Sequence, residues 1–302
     1  MKSEFVMEKI VLTSNQPFDL DLTLCCGQAF RWEKNGEWWY GIVANKLFKV
    51  RQRGNILEFE NVSPEFVEKY FGLKDDLFLI FERISKDKHI KEAVKALKGL
   101  RILRQDPWEC LISYICATHK NIPAIKRMLF NVSKKFGEET TFNNCVFYTF
   151  PTPQNLAEAS LQELASCGLG YRAKYVMETA KRVANGEFDI EGLKAEPFEK
   201  ARKKLLALPG VGPKVADCVL LFSLEKLEAF PVDVWMKRII TKYYASHFDE
   251  AFVRRVSFKK SLTKAEYEKL SLFGRNYFGR FAGYAQEYLF HFERLRAGKA
   301  LG

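Results

Sequence analysis

The chain of 302 residues has no apolar run long enough to cross a membrane. Its longest nearly apolar stretch, residues 215–224, carries Asp217 inside it, and a spanning helix needs about 20 apolar residues. The first ten residues hold acidic side chains and no long apolar core, so no secretory signal is read there. Cysteine is sparse: seven residues, an odd number, with no C-x-x-C pair and none after Cys218. That excludes a secreted disulfide framework and points to free thiols in an intracellular compartment, cytoplasm or nucleoid or nucleus. The four histidines, His89, His119, His247 and His291, are scattered and lack metal-ligand spacing. No internal repeat and no low-complexity tail occurs.

What is present is an ordinary globular balance, 47% hydrophobic and 28% charged, which excludes wholesale disorder. The formal net charge is +11 and is uneven. Residues 1–98 hold 16 Lys+Arg and 15 Asp+Glu, whereas residues 99–302 hold 32 and 22. A neutral front and a basic back fit a rear half that meets a polyanion, although a merely basic protein would look the same.

The front reads as short strands. Residues 38–43 (WWYGIV) and 47–52 are rich in aromatic and β-branched side chains, and Arg53-Gly54-Asn55 turns the chain into Ile56-Leu57-Glu58-Phe59. These spacings predict an antiparallel meander with one covered face. Ser63-Pro64-Glu65 then opens a helix. From about residue 99 the period becomes helical, starting at Asp106-Pro107-Trp108-Glu109. Further helices are expected over 122–136, 155–167, 172–185, 197–207, 213–224, 234–245 and 264–292, the last broken by its glycines. The expected architecture is α+β: an N-terminal antiparallel sheet domain over 1–98 and a mainly helical domain over 99–302.

The stretch LLALPGVGPKVAD, residues 205–217, carries the most chemical information. A helix ends at Leu208, Pro209-Gly210-Val211-Gly212 turns tightly, and Pro213 starts a second helix. The glycines let backbone approach an anion, and the free N–H groups of the new helix point toward a phosphate. Lys214 lies in that first turn, where a helix N-terminus disfavours a cation. It reads either as a nucleophilic amine or as a point charge on a phosphate. Asp233 precedes the next helical pattern. It reads as an N-cap, as a carboxylate that stabilises a developing cation or handles protons, or as both.

Together these features resemble the helix-hairpin-helix (HhH-GPD) DNA glycosylase superfamily. Three more segments narrow the resemblance to 8-oxoguanine DNA glycosylase/AP lyase: CGQAFRW (26–32), RILRQDPWEC (101–110) and LGYRAKY (169–175). The resemblance runs in order from about residue 10 to residue 293. It implies a bifunctional repair enzyme of base excision repair that flips oxidised guanine out of duplex DNA and then nicks the strand. Lys214 matches the lysine that attacks the sugar C1′ and forms a Schiff base, and Asp233 the carboxylate that assists departure of the base. Gly27 matches the residue whose carbonyl accepts from the N7–H of 8-oxoguanine, an atom that carries a lone pair in guanine. Gln286 and Phe290 match the residues on the base's pairing edge and face, and Cys218 the opposite wall. Tyr171 and Arg172 match the wedge left in the duplex and the arginine that reads the orphaned cytosine.

The sequence departs from the eukaryotic pattern at three positions: His119 replaces an asparagine, Ala124 a second cytosine-reading arginine, and Trp235 a phosphate-touching histidine. Weaker preference for cytosine opposite the lesion is therefore expected. Phosphate contacts are expected at Gly210, Gly212 and Val215, with steep salt dependence. The scheme needs no redox or nucleotide cofactor and no catalytic metal. Hairpins of this kind can hold a structural cation on carbonyls, here those of Leu206, Leu208 and Val211. Nothing demands more than a monomer. The missing cysteines after Asp233 argue against an iron–sulfur relative, and Lys214 argues against aspartate-only alkylation repair. A hairpin that merely binds DNA would leave Gly27, Lys214 and Asp233 unexplained.

Overall fold

The computed structural model describes residues 7–143 and 145–298. Residues 1–6, part of the stretch read as lacking a secretory signal, lie outside it. Strands β1 (Met7–Val11), β2 (Trp32–Asn35), β3 (Trp38–Val43), β4 (Lys46–Arg53) and β5 (Ile56–Glu60) form one antiparallel sheet in the order β1-β5-β4-β3-β2. The register pairs Trp32 with Gly41. A Cβ on Gly41 would lie 2.6 Å from the Trp32 ring, so the glycine lets the indole lie flat across the sheet. Helix α1 (Leu20–Cys25) enters between β1 and β2, and α2 (Pro64–Tyr70) follows β5. Ser63 caps α2, as its position before Pro64 predicts. The covered face is aromatic: Trp32, Phe48, Phe59, Tyr70 and Phe71 share one core.

The rest is helical: α3 (Leu77–Ile84), α4 (Lys88–Ala96), α5 (Pro107–Ala117), α6 (Ile122–Phe136), α7 (Pro153–Glu158), α8 (Leu161–Leu164), α9 (Arg172–Ala184), α10 (Phe198–Leu205), α11 (Pro213–Phe222), α12 (Val234–Tyr243), α13 (Glu250–Phe258), α14 (Lys264–Phe278) and α15 (Ala282–Arg296). Asp106 caps α5 by accepting the Glu109 N–H at 2.8 Å. The expected helix over 155–167 is instead broken. Ala159 turns extended, Ser160 and Glu163 form a capping box that restarts the chain as α8, and a π turn runs over Ala165–Leu169. The hairpin of β6 (Glu139–Phe142) and β7 (Cys145–Tyr148), and helix α13, were not expected. The 264–292 run does break at a glycine, Gly279, whose φ of +72° ends α14.

Residues of α3 and α4, including Ile80, Ile84, Ile90 and Ala93, pack in the large core of the helices and not under the sheet. Two buried polar side chains fasten the sheet side to that core. Gln28 donates to the Thr23 and Arg101 carbonyls and accepts the Leu103 N–H, all within 3.0 Å. Arg101, wholly buried, donates to the Pro17 and Asp75 carbonyls at 3.0 Å. Hydrogen bonds from a charged donor contribute about 1.5–3 kcal/mol each, so Arg101 holds the Pro17 and Asp75 segments together, while the neutral amide of Gln28 ties its own segment to residues 101–103. On the far side, α15 is fixed by Tyr284, which donates to Asp75 at 2.6 Å, and by Tyr288, which donates to the Leu100 carbonyl at 2.8 Å.

Candidate active site

The hairpin forms as its sequence predicts. Gly210 has φ of +74°, and a Cβ there would lie 2.7 Å from the Tyr175 side chain, so both backbone and neighbour demand glycine. The Val211 N–H closes the turn on the Leu208 carbonyl at 3.2 Å. Gly212 is the N-cap of α11 and offers no side-chain cap, which leaves the N–H groups of the first turn, Lys214 and Val215 among them, outside the helix's own ladder. Gly212 is exposed, whereas the Val215 side chain is buried and brings only backbone to that surface.

Lys214 is half-buried, with its Nζ 4.7 Å above the Tyr114 ring. The Tyr114 hydroxyl donates to the Gln28 carbonyl at 3.1 Å, so one aromatic ring joins the lysine to the segment after Gly27. One turn along α11, Cys218 is buried in hydrogen-bond contact with Lys214. Burial pushes its thiol up to about 12 against the opposing pull of Lys214, so it is a neutral wall and not a nucleophile. Asp233 is the N-cap of α12, one carboxylate oxygen accepting the Met236 N–H at 2.8 Å. Burial raises its pKa, opposed by the Met236 N–H and by the charge of Lys214. Both readings of Asp233 are thus compatible: the cap uses one oxygen.

Gly27 adopts φ of +100°, a conformation that L side chains rarely take. A Cβ there would meet Arg294 Nη1 and Ile122 Cδ1, each at 3.1 Å, and Phe290 at 3.9 Å. Gln286 is 5% exposed, and its side-chain oxygen has no hydrogen-bond partner. Gln286 and Phe290 stand one turn apart on α15, as their spacing predicts. Lys214, Cys218, Asp233, Gly27, Gln286 and Phe290 therefore gather where α11, α12, α15 and the segment after α1 meet. Three residues of this neighbourhood were not anticipated. Tyr114 lies under the lysine, and Glu287 and Arg294 lie beside the predicted pair on α15. Burial pushes the Glu287 carboxyl up to about 7, against hydrogen bonding from Cys26 and the charge of Arg294. An acid and a basic residue inside an otherwise apolar helical face were the available signal.

The other residues expected to meet DNA are placed as follows. Tyr171 is 57% exposed. Arg172 follows it but is buried, donating to the Thr118 and Leu169 carbonyls, with its guanidinium 4.4 Å from the Tyr171 ring centroid. His119 is exposed and left-handed, φ +56°, at the end of α5. Ala124 offers its N–H to the Asn121 cap at 3.0 Å. Trp235 is half-buried in the first turn of α12, with Arg238 5.6 Å from its ring. A surface groove of about 890 Å³ opens elsewhere, lined by Lys46, Leu47, Asn61, Glu139 and Thr140. Among the described residues no cluster of His, Cys, Asp and Glu could hold a metal, and no helix is long and apolar enough to cross a membrane.

Comparison with known proteins follows the same geometry. Residues 9–111 match the family described as 8-oxoguanine DNA glycosylase, N-terminal domain, and residues 112–257 match the HhH-GPD superfamily base excision DNA repair protein. The chain is 36% identical to a probable N-glycosylase/DNA lyase of Methanothermobacter thermautotrophicus, over 83% of this chain and 81% of that protein. It is 32% identical to the N-glycosylase/DNA lyase of Saccharomyces cerevisiae, over 88% and 81%. The 8-oxoguanine glycosylase/lyase of Clostridium acetobutylicum, bound to double-stranded DNA with cytosine opposite 8-oxoguanine, superposes with a TM-score of 0.83 at 32% identity, covering 97% of this chain and 98% of that one.

Proposed function

Because the chain belongs to the 8-oxoguanine DNA glycosylase/AP lyase family of the HhH-GPD base excision repair superfamily, we propose that it excises 8-oxoguanine from duplex DNA and nicks the abasic strand through Lys214. The observation that carries this reading is the convergence of Lys214 and Asp233 beside Cys218 at the N-termini of two successive helices.

The neutral Lys214 amine attacks C1′ as the glycosidic bond breaks, its electron pair leaving with the base. The Asp233 carboxylate stabilises the positive charge that develops on the sugar. Loss of a proton from nitrogen and opening of the sugar ring give the imine. The imine acidifies C2′, removal of that proton expels the 3′ phosphate by β-elimination, and hydrolysis returns the amine. Gly27 accepts from N7–H of the lesion and repels the N7 lone pair of guanine. Gln286 takes the pairing edge, and Phe290 and Cys218 flank the ring. The partnerless oxygen of Gln286 supports this role, since a buried acceptor left unpaired otherwise costs stability.

The N–H groups around Gly210, Gly212 and Val215 take the phosphate, and Tyr171 fills the emptied stack. Arg172 reaches an orphaned base only by leaving the Thr118 and Leu169 carbonyls. With His119, Ala124 and Trp235 at the three positions that depart from the eukaryotic pattern, discrimination for cytosine opposite the lesion is weaker, and equal discrimination to a eukaryotic relative across the four opposing bases overturns that point. The enzyme works as a monomer inside the cell, where its substrate is. Borohydride trapping on a duplex with one 8-oxoguanine tests the chemistry. A covalent adduct that needs both the lesion and Lys214, and is absent in Lys214→Gln and on unmodified duplex, is the expected result. No adduct with intact DNA binding overturns the imine.

A further inference from the structure

Two buried charged side chains of α15, Glu287 and Arg294, have no part in the chemistry above; they are 2% and 7% exposed. They stand seven residues apart, two turns along one helix face, and both reach Cys26. Arg294 Nη1 donates to the Cys26 carbonyl at 2.8 Å. The Glu287 carboxyl lies beside the Cys26 thiol, which donates to the Thr23 carbonyl at 3.3 Å. The Arg294 guanidinium lies 5.1 Å from the Phe290 ring centroid, and Nη1 would sit 3.1 Å from a Cβ on Gly27. One planar group thus touches the carbonyl before Gly27, the open side of Gly27 and the ring of Phe290.

We propose that Arg294 is a specificity-determining positioning residue that sets the direction of the Gly27 carbonyl toward the lesion. The proposal rests on the reading that this carbonyl accepts from the lesion's N7–H. Glycine restricts its own backbone least, so the carbonyl direction at residue 27 must come from its neighbours. Holding the Cys26 carbonyl fixes the peptide plane that enters Gly27, and a charged donor holds it more firmly than a neutral one. The same guanidinium packs on Phe290, so one side chain sets the relation between the atom that reads the base and the ring that stacks on it. Recognition by a single hydrogen depends on such placement to a fraction of an ångström. Lysine keeps the charge but lacks the flat fork that both contacts use.

The test compares single-turnover excision from an 8-oxoguanine duplex with cleavage of a duplex that already carries an abasic site, which needs Lys214 but no base. In Arg294→Lys and Arg294→Met, excision falls by about tenfold or more, discrimination against guanine narrows, and abasic cleavage stays within about twofold. Parallel loss of both activities overturns the proposal, because Arg294 would then act through Lys214 and Asp233 or through the fold. Unchanged excision overturns it too. Hydrogen exchange at the Gln28 amide provides an arm that needs no substrate. Faster exchange in both variants is expected, and unchanged protection overturns the clamp whatever the activities do. Absence of excision by the native chain counts against the functional reading alone, since the exchange arm still decides the clamp.

Discussion

Two aspartates, one on α11 and one at the start of α12, are treated in opposite ways. Asp217, wholly buried on α11, is saturated: Arg202 donates to it at 2.6 Å, Tyr267 at 2.7 Å and Ser271 at 3.3 Å. Asp233, half-buried at the N-terminus of α12, commits one oxygen to the Met236 N–H. Two buried glutamines repeat the contrast. Gln28 bonds through both ends of its amide, whereas the Gln286 oxygen has no partner. Asp217 and Gln28, which hold the fold, are satisfied from within, because an unpaired polar group costs about 1–3 kcal/mol. Asp233 and Gln286 keep unused capacity, which the proposed substrate would complete. Within these two pairs, the count of partners separates the kinds.

The contrast breaks most visibly at the aspartates. Asp233→Asn keeps a good N-cap but loses the charge, so excision falls by about 10²–10⁴-fold. The melting temperature holds or rises, since a carboxylate whose charged form burial disfavours is gone. Asp217→Asn does the reverse. It uncouples the buried Arg202 and costs about 3 kcal/mol, while excision per folded molecule is unchanged. Single-turnover rates and denaturation midpoints on the same two variants decide the matter. A large loss of activity in Asp217→Asn with normal stability would erase the distinction.

The glutamines sharpen it on a smaller scale. Gln28→Leu strands the Leu103 N–H and two carbonyls and lowers stability by about 1–3 kcal/mol. Gln286→Leu leaves the fold as stable as before or more so. It weakens binding of a lesion duplex, measured at fixed salt against an abasic duplex, by about tenfold. Equal stability loss in the two leucine variants would show that Gln286 is a structural amide.

Much of this arrangement is legible in the sequence because it is local. Pro213 after two glycines, the Asp106 and Asp233 caps and the i, i+4 pair on α15 each follow from backbone rules within a few residues. The meander is legible for the same reason, since its turns are short. The misread helix over 155–167 shows the limit. Ser160 and Glu163 carry a capping-box signature, but apolar periodicity on both sides conceals the break. What joins distant segments is not legible at all. Tyr114 beneath Lys214, Arg294 on the Cys26 carbonyl and the inward turn of Arg172 depend on how helices pack, and no spacing along the chain encodes them. The family resemblance supplied roles for residues that touch DNA, but not for those that hold them.

The smallest effect concerns Glu287, the buried acid between the two kinds of site. Its carboxyl, ordinarily near 4.5, is pushed up to about 7 by burial, against Cys26 and Arg294. Between these values the folded chain keeps a proton that the unfolded chain has lost. Stability from this group therefore falls as pH rises from 4.5 to about 7 and is level above that. Burial gives Glu109 the same sign, also near 7, whereas His291, pushed down to about 4 by burial and Arg294, gives the opposite sign. The total pH profile mixes all three, so the informative quantity is a difference. Glu287→Gln minus the native chain should gain stability steadily across that window and then stop changing. A flat difference would mean that the carboxylate is already ionised when folded, compensated like Asp217, and would move Glu287 to the saturated side of the comparison.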